Sequence, residues 1–314
     1  MLIACALLAL VLFGRIPADT LWANDLSNFA HGPVFAALAL IVLFYLRREP
    51  RGSNGWLLEY TIAFGAALLL GIAVEAVQSR IGRDAEFGDV LRDALGALAA
   101  LGFVATVDPR LRAILPGRRR RIGGLLVGLA ATALLLAPLV VATLSYRERQ
   151  RNFPVISDFD RPYSDYFVGA LGGAETRRAA LPRWLAGHAQ ETRALHVKSS
   201  GARWWGVKIR EPLSDWSRFD RLEITIANPN RKPLDLQLRV YDARVSTEAE
   251  ADARFATKLH VAPSSWGTST IPLAALANPG DAATVDVRDI RSLMLTPSGG
   301  SGSTDFYLVR IWLE

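Results

Sequence analysis

Glu75 stands in Gly71-Ile-Ala-Val-Glu75-Ala-Val-Gln78, at the end of a long apolar run. An ionised carboxylate in such surroundings costs several kcal/mol unless it is paired or protonated, so it marks an obligatory ion pair or a working acid. Arg83 is the nearest basic candidate outside the helix. Glu75 and Gln78 are three residues apart and Asp89 and Asp93 four apart, so each pair shares a helix face. Ahead of another apolar run, Asp25, Asn28 and His31 follow one another at intervals of three. A carboxylate in a partly apolar pocket can hold its proton and act as a general acid, which makes Glu75, Asp89 and His31 the candidate catalytic set, with Arg83 able to hold an anionic headgroup or sugar phosphate. Plainer roles stand beside these. Asp25 and Asp89 lie where a carboxylate caps a helix N-terminus, and His31 can be an interfacial side chain with its ring tip in water.

The elements that must position these groups are five apolar runs, about Leu2–Phe13, Gly32–Leu46, Trp56–Ala76, Val90–Val107 and Ile122–Ser145. Most approach or exceed the about 17–25 residues of a membrane-crossing helix, which predicts a membrane all-α domain of about five transmembrane helices over residues 1–146. Nothing positive precedes the first run and no small-residue cleavage site follows it, so it reads as a retained helix. Residues 1–151 carry 16 Arg and no Lys against 11 acids. Three of those Arg fall at 47–51 and six at 110–121, against four on the opposite loops (Arg15, Arg80, Arg83, Arg92). That asymmetry places the N-terminus in the cytoplasm and everything after the fifth run outside. The expected membrane pocket is Asp25, Asn28, His31, Glu75, Gln78, Arg83, Asp89 and Asp93. Gly124-Leu-Leu-Val-Gly128 is a helix-packing pattern that leaves the oligomeric state open.

After a basic stretch at 147–154, expected as a juxtamembrane linker, the pattern changes to period two. Leu195–Lys198, Trp205–Arg210, Leu222–Ile226, Leu234–Tyr241, Phe255–Val261, Thr268–Pro272, Ile290–Thr296 and Phe306–Leu313 predict about eight strands over 155–314, an all-β antiparallel sandwich. Six of the eight tryptophans lie here. An alternating strand sends Trp204 and Trp205 to opposite faces, one to the core and one to solvent, where a flat ring suits the C–H face of a sugar.

The spacing Asp25-x-x-Asn28-x-x-His31, then Glu75-x-x-Gln78, then Arg83-x5-Asp89-x3-Asp93-x-x-Gly96 resembles the VanZ-like membrane domain over roughly residues 1–110. Asp93 stands where that family commonly has Asn, and its usual Asp-Lys start reads Asp25-Leu26. The resemblance implies a polytopic bacterial envelope protein related to the teicoplanin-resistance accessory, and no known reaction. In the second half, Trp205-Gly-Val, Asp215-Trp-Ser, Leu238-Arg-Val-Tyr-Asp242, Asp252-Ala-Arg-Phe255 and Ile271-Pro-Leu resemble a jelly-roll carbohydrate-binding module of galactose-binding-like fold. That resemblance implies Arg239, Asp242 and Arg254 as polar glycan-binding candidates and Trp204 as the aromatic one. Salt-bridging across adjacent strands accounts for the three polar residues equally well.

The expected protein is therefore a multi-pass protein of the bacterial cytoplasmic membrane that displays a glycan-binding sandwich outside. The alternative is a membrane-embedded enzyme acting on a lipid headgroup or lipid-linked sugar. Its partners would be membrane lipids and an envelope glycan or lipid-linked sugar. The basic bursts are not interleaved with aromatics, so no nucleic acid is expected. One cysteine, Cys5, excludes a disulfide scaffold and a Cys-ligated zinc site, and no metal or other cofactor is expected.

Overall fold

The computed structural model describes residues 20–48, 55–80, 87–114, 117–182, 184, 191–199, 201–202, 204–244, 255–276, 285–298 and 305–314. It divides into two compact units, Met1–Thr143 and Leu144–Glu314.

The first unit contains helices α1 (Leu21–Leu46), α2 (Trp56–Arg80), α3 (Phe87–Val107) and the one-turn-and-a-half α4 (Pro109–Ile114), and most of α5 (Arg118–Asn152). Helix α1 starts earlier than its apolar run because the Thr20 hydroxyl accepts the Ala23 N–H at 3.2 Å, capping a polar first stretch. Asp25 is thus inside the helix rather than its cap, whereas Asp89 does lie in the first turn of α3. Four helices among the described residues are long and apolar enough to cross a membrane, with mean hydropathies of 2.1, 2.0, 1.7 and 2.5. The expected number was five; the run Leu2–Phe13 lies outside the described residues.

Small residues occupy several of the contacts: Ala39, Ala63 and Ala97 are fully covered, beside Phe35 and Leu43. Other large ones face outward, with Leu57, Leu69, Leu126 and Leu134 each about 60–70% exposed (59, 69, 60 and 62%). Leucine gains nothing by leaving hydrocarbon, so in a bilayer small residues are favoured at contacts because they let backbones approach. A Cβ on Gly96 would collide with the Gly32 carbonyl oxygen, so α1 and α3 meet backbone to backbone. A Cβ on Gly102 would come within 2.8 Å of the Gly128 nitrogen and 3.0 Å of the Gly124 oxygen. The Gly124/Gly128 pattern is therefore spent inside the chain, on α3.

The second unit is a jelly-roll-like antiparallel sandwich. Its strands are β1 (Val155–Asp158), β2 (Val168–Leu171), β3 (Glu175–Ala180), β4 (Arg193–Lys198), β5 (Gly206–Arg210), β6 (Arg221–Asn228), β7 (Leu234–Asp242), β8 (Ala256–Val261), β9 (Ser265–Pro272), β10 (Ile290–Pro297) and β11 (Asp305–Leu313). One sheet runs β3-β4-β11-β6-β9 with β1 beside β11, and the other runs β2-β5-β10-β7-β8. Alternation sends Leu222, Ile224 and Ile226 of β6 and Leu234, Leu236, Leu238 and Val240 of β7 into one core with Trp205, Trp216 and Phe306. All eight expected strands are present; β1, β2 and β3 were not expected, being short or, in β3, mostly polar.

The last turns of α5, expected as linker from 147, are helical through Asn152 and belong to the sandwich. Arg149 is 6% exposed. Its guanidinium donates to the carbonyls of Arg210 and Glu211 at 2.6 and 2.5 Å and lies 3.4 Å over the Phe167 ring. Tyr146 donates to the Glu211 carboxylate.

Candidate functional site

In the helical unit, polar side chains collect in two layers. One joins His31 of α1 to Asp93 of α3 through Nδ1 and Oδ1 at 3.2 Å. Asp93 is fully buried, and Gly71 of α2 makes room for it: a Cβ there would lie 2.6 Å from Asp93 Oδ2. Glu75 and Gln78, on the next turns of α2, are buried as well, and Glu75 and Asp89 are within electrostatic range of His31. Asp89 is ion-paired to Arg92 on its own helix. That ion pair holds Asp89 while its charge still acts on His31, the partner of Asp93. Asp25 and Asn28 are half-buried on the turns of α1 before His31. Arg83, the expected partner of Glu75, lies outside the described residues.

The other layer was not foreseen from the sequence. Glu59, at the start of α2, is 1% exposed and is gripped by Arg110 Nη1 at 2.8 Å and Arg47 Nε at 3.4 Å. Asp108 accepts from Tyr60 at 2.9 Å and is ion-paired with Arg47. The available signal was a single acid beside each apolar run, Glu59 and Asp108, together with arginines at the same helix ends. His31 and Arg47 are sixteen residues apart on α1, as are Glu59 and Glu75 on α2. At about 1.5 Å per residue the layers are about 24 Å apart, slightly less than a hydrocarbon core of about 30 Å.

In the sandwich, the outer side of the five-stranded sheet brings Lys208 of β5, Met294 of β10 and Arg239 of β7 into one register row. Tyr241 and Met294 form a buried pair with Leu171 packed against it, separate from the main core. Trp204, 44% exposed, lies beside this patch, because Gly172, the residue after Leu171, is so close to the Trp204 carbonyl that a Cβ would overlap it. Gly172 has φ of +58°, a conformation that glycine adopts freely. Trp205, next in sequence, is buried as expected.

Asp242 does not join this face. Three residues from Arg239 on a strand is the opposite side, the parity of Leu238 and Val240, and its side chain is fully buried. It accepts from Arg244 Nε at 2.9 Å, from the Arg244 N–H at 3.0 Å and from the Asp286 N–H at 2.8 Å. Burial alone would raise its pKa, but these hydrogen bonds outweigh it and hold the carboxyl below the usual range. Asp242 ties down the end of β7 and is not a ligand contact. Arg254 lies outside the described residues. Among the described residues no group of three or more His, Cys, Asp or Glu could hold a metal ion.

No family model matches the chain, and no curated protein matches it. Among solved structures it is similar to a family 11 carbohydrate-binding module from Clostridium thermocellum in complex with a beta-1,3-1,4-mixed-linked tetrasaccharide, at 17% identity over 51% of this chain and 93% of that one, with a TM-score of 0.38. It is similar to the CBM22-1 xylan-binding domain of Paenibacillus barcinonensis Xyn10C at 13% identity over 51% of this chain and 94% of that one, TM-score 0.33. It is also similar to an exo-beta-agarase at 13% identity, covering 51% of this chain and 25% of that one, TM-score 0.41. At these identities and scores, what the chain binds has to be read from its own residues.

Proposed function

We propose that the protein is a VanZ-like integral membrane protein of the bacterial envelope, with its sandwich outside the cytoplasmic membrane, where the five-stranded sheet binds a glycan. The observation that carries the glycan reading is the exposed Trp204 together with half-buried Lys208 and Arg239, which share one register row on a sheet face away from the core, next to a buried Tyr241–Met294 pair that holds this part of the face in place. Apolar surface for sugar C–H groups and charged donors for hydroxyls are what such a ligand needs. The membrane reading is supported by outward leucines, inward alanines and glycines, and the polar layers about 24 Å apart. The test is binding of the full-length protein in lipid nanodiscs to a glycan array, peptidoglycan fragments and lipopolysaccharide sugars. Saturable binding weakened by Trp204→Ala and Arg239→Ala is expected; binding unchanged by both substitutions overturns the assignment of this face.

A second reading is favoured by the buried His31–Asp93 pair beside Glu75: an acid/base site in the membrane that acts on a lipid headgroup or lipid-linked sugar. Glu75→Gln separates the two. A variant that inserts and accumulates normally but loses the envelope phenotype supports this reading, whereas degradation of the variant assigns Glu75 a structural role.

A further inference from the structure

The outer side of the six-stranded sheet, which the glycan reading does not use, carries its own row of side chains. Cross-strand register aligns Arg177 of β3, His196 of β4, Tyr307 of β11, Ala227 of β6 and Trp266 of β9. Five strands at about 4.8 Å make the row about 19 Å long, the reach of a short oligosaccharide. Its aromatic part is fixed in advance. The His196 and Tyr307 rings stack with centroids 4.5 Å apart and planes 12° apart, and His196 Nε2 is held by Asp305 Oδ2 at 2.7 Å. Tyr307, in register with Ala227, also packs against the small cluster that Ala227 forms with Leu181, Ala194 and Val309. Beyond Ala227 stands Trp266, 37% exposed. A ligand would meet surface that is already ordered, which lowers the entropy cost of binding.

The charges on this face are unevenly committed. Asp305 is engaged by His196, and Glu223 by Thr270 and Arg221. Glu175 and Lys198 face each other in register. Arg177 is exposed and has no hydrogen-bond or ion-pair partner among the described residues, although its charge acts on Tyr307. A planar guanidinium at one end of an aromatic row matches a carboxylate with its fork of donors.

We infer that the row from Arg177 to Trp266 is a second binding site, for an acidic glycan carrying carboxylates on its sugar rings. Trp266 supplies the flat sugar contact, the exposed edge of the Tyr307 ring adds a second contact because His196 covers one of its faces, and Arg177 supplies the preference for negative charge. The site is independent of the Arg239 face, and the two fail separately.

The experiment is calorimetry on the full-length protein in phosphatidylcholine nanodiscs, with tetragalacturonate and its methyl ester as probes. Saturable binding of the acid is expected, about tenfold weaker for the ester, the effect of one charge-assisted contact. Arg177→Gln should remove the difference between acid and ester. Trp266→Ala should weaken both in a variant that still unfolds cooperatively, Trp266→Phe, which keeps a ring, should weaken them less, and Arg239→Ala should change neither. No binding of either probe overturns the proposal, as does binding that survives Trp266→Ala but is lost with Arg239→Ala.

Discussion

Asp242 and Asp93 are both fully buried carboxylates, and their surroundings give them different work. The hydrogen bonds around Asp242 hold its folded pKa below the unfolded value near 3.9, so the stability it contributes is present above about pH 4 and lost as pH falls through the folded pKa. Asp242→Asn should therefore lower the melting temperature at pH 7, and the gap from the parent should close as the pH is taken below about 4. An unchanged gap across that range would show that the charge does not matter. Asp93 instead depends on a neighbour with no side chain. Gly71→Ala should disturb the His31–Asp93 contact, and Gly96→Ala, which collides with Gly32, should destabilise the bundle by about 1–3 kcal/mol, read from unfolding in detergent. Gly96 is marked in the sequence by its place on the Asp89–Asp93 face, whereas Gly71 does not announce itself in an Ala/Gly-rich run, because the side chain that makes it necessary lies on another helix.

Helix α5 carries the link between apolar run and sandwich. Hydropathy ends the run near Ser145, but the helix continues to Asn152 because the β unit supplies partners for its polar last turns. Arg149→Ala leaves two carbonyls without that donor and removes the ring contact, a loss of about 2–4 kcal/mol in the sandwich. A fragment of residues 144–314 should accordingly melt at a higher temperature than one of residues 152–314. Equal melting temperatures would show that the helix end adds nothing. The strands had the opposite problem. Alternation marked β4 to β11, whereas β2 and β3 are edge strands and β1 is a short strand beside β11, so little alternation was required of their sequences.

At the scale of the molecule, the arginine asymmetry predicts that reporters fused at Arg121 and at the C-terminus lie on opposite sides of the membrane. The same side for both would overturn the orientation. The Glu59–Asp108 layer makes a related prediction. Glu59→Leu and Asp108→Leu should each lower the yield of inserted protein, because each removes one of the two carboxylates that Arg47 is paired with, and the double variant, which leaves Arg47 with neither, should lower it further.

The sequence by itself determined the two-part plan, the spans of the main apolar runs and the faces of the long strands, because hydropathy and period-two alternation are local and need no knowledge of neighbours. It also singled out His31, Glu75, Gln78 and Asp93, because a polar residue in an apolar run is conspicuous wherever it packs. Only the tertiary structure decided that Asp93 meets His31, that Glu59 and Asp108 share Arg47 while Arg110, 51 residues from Glu59, joins them, and that Asp242 faces the interior. It also aligned Arg177, Tyr307 and Trp266. Partners and register are relations between distant segments, set by which backbones can approach and which charges must be covered together.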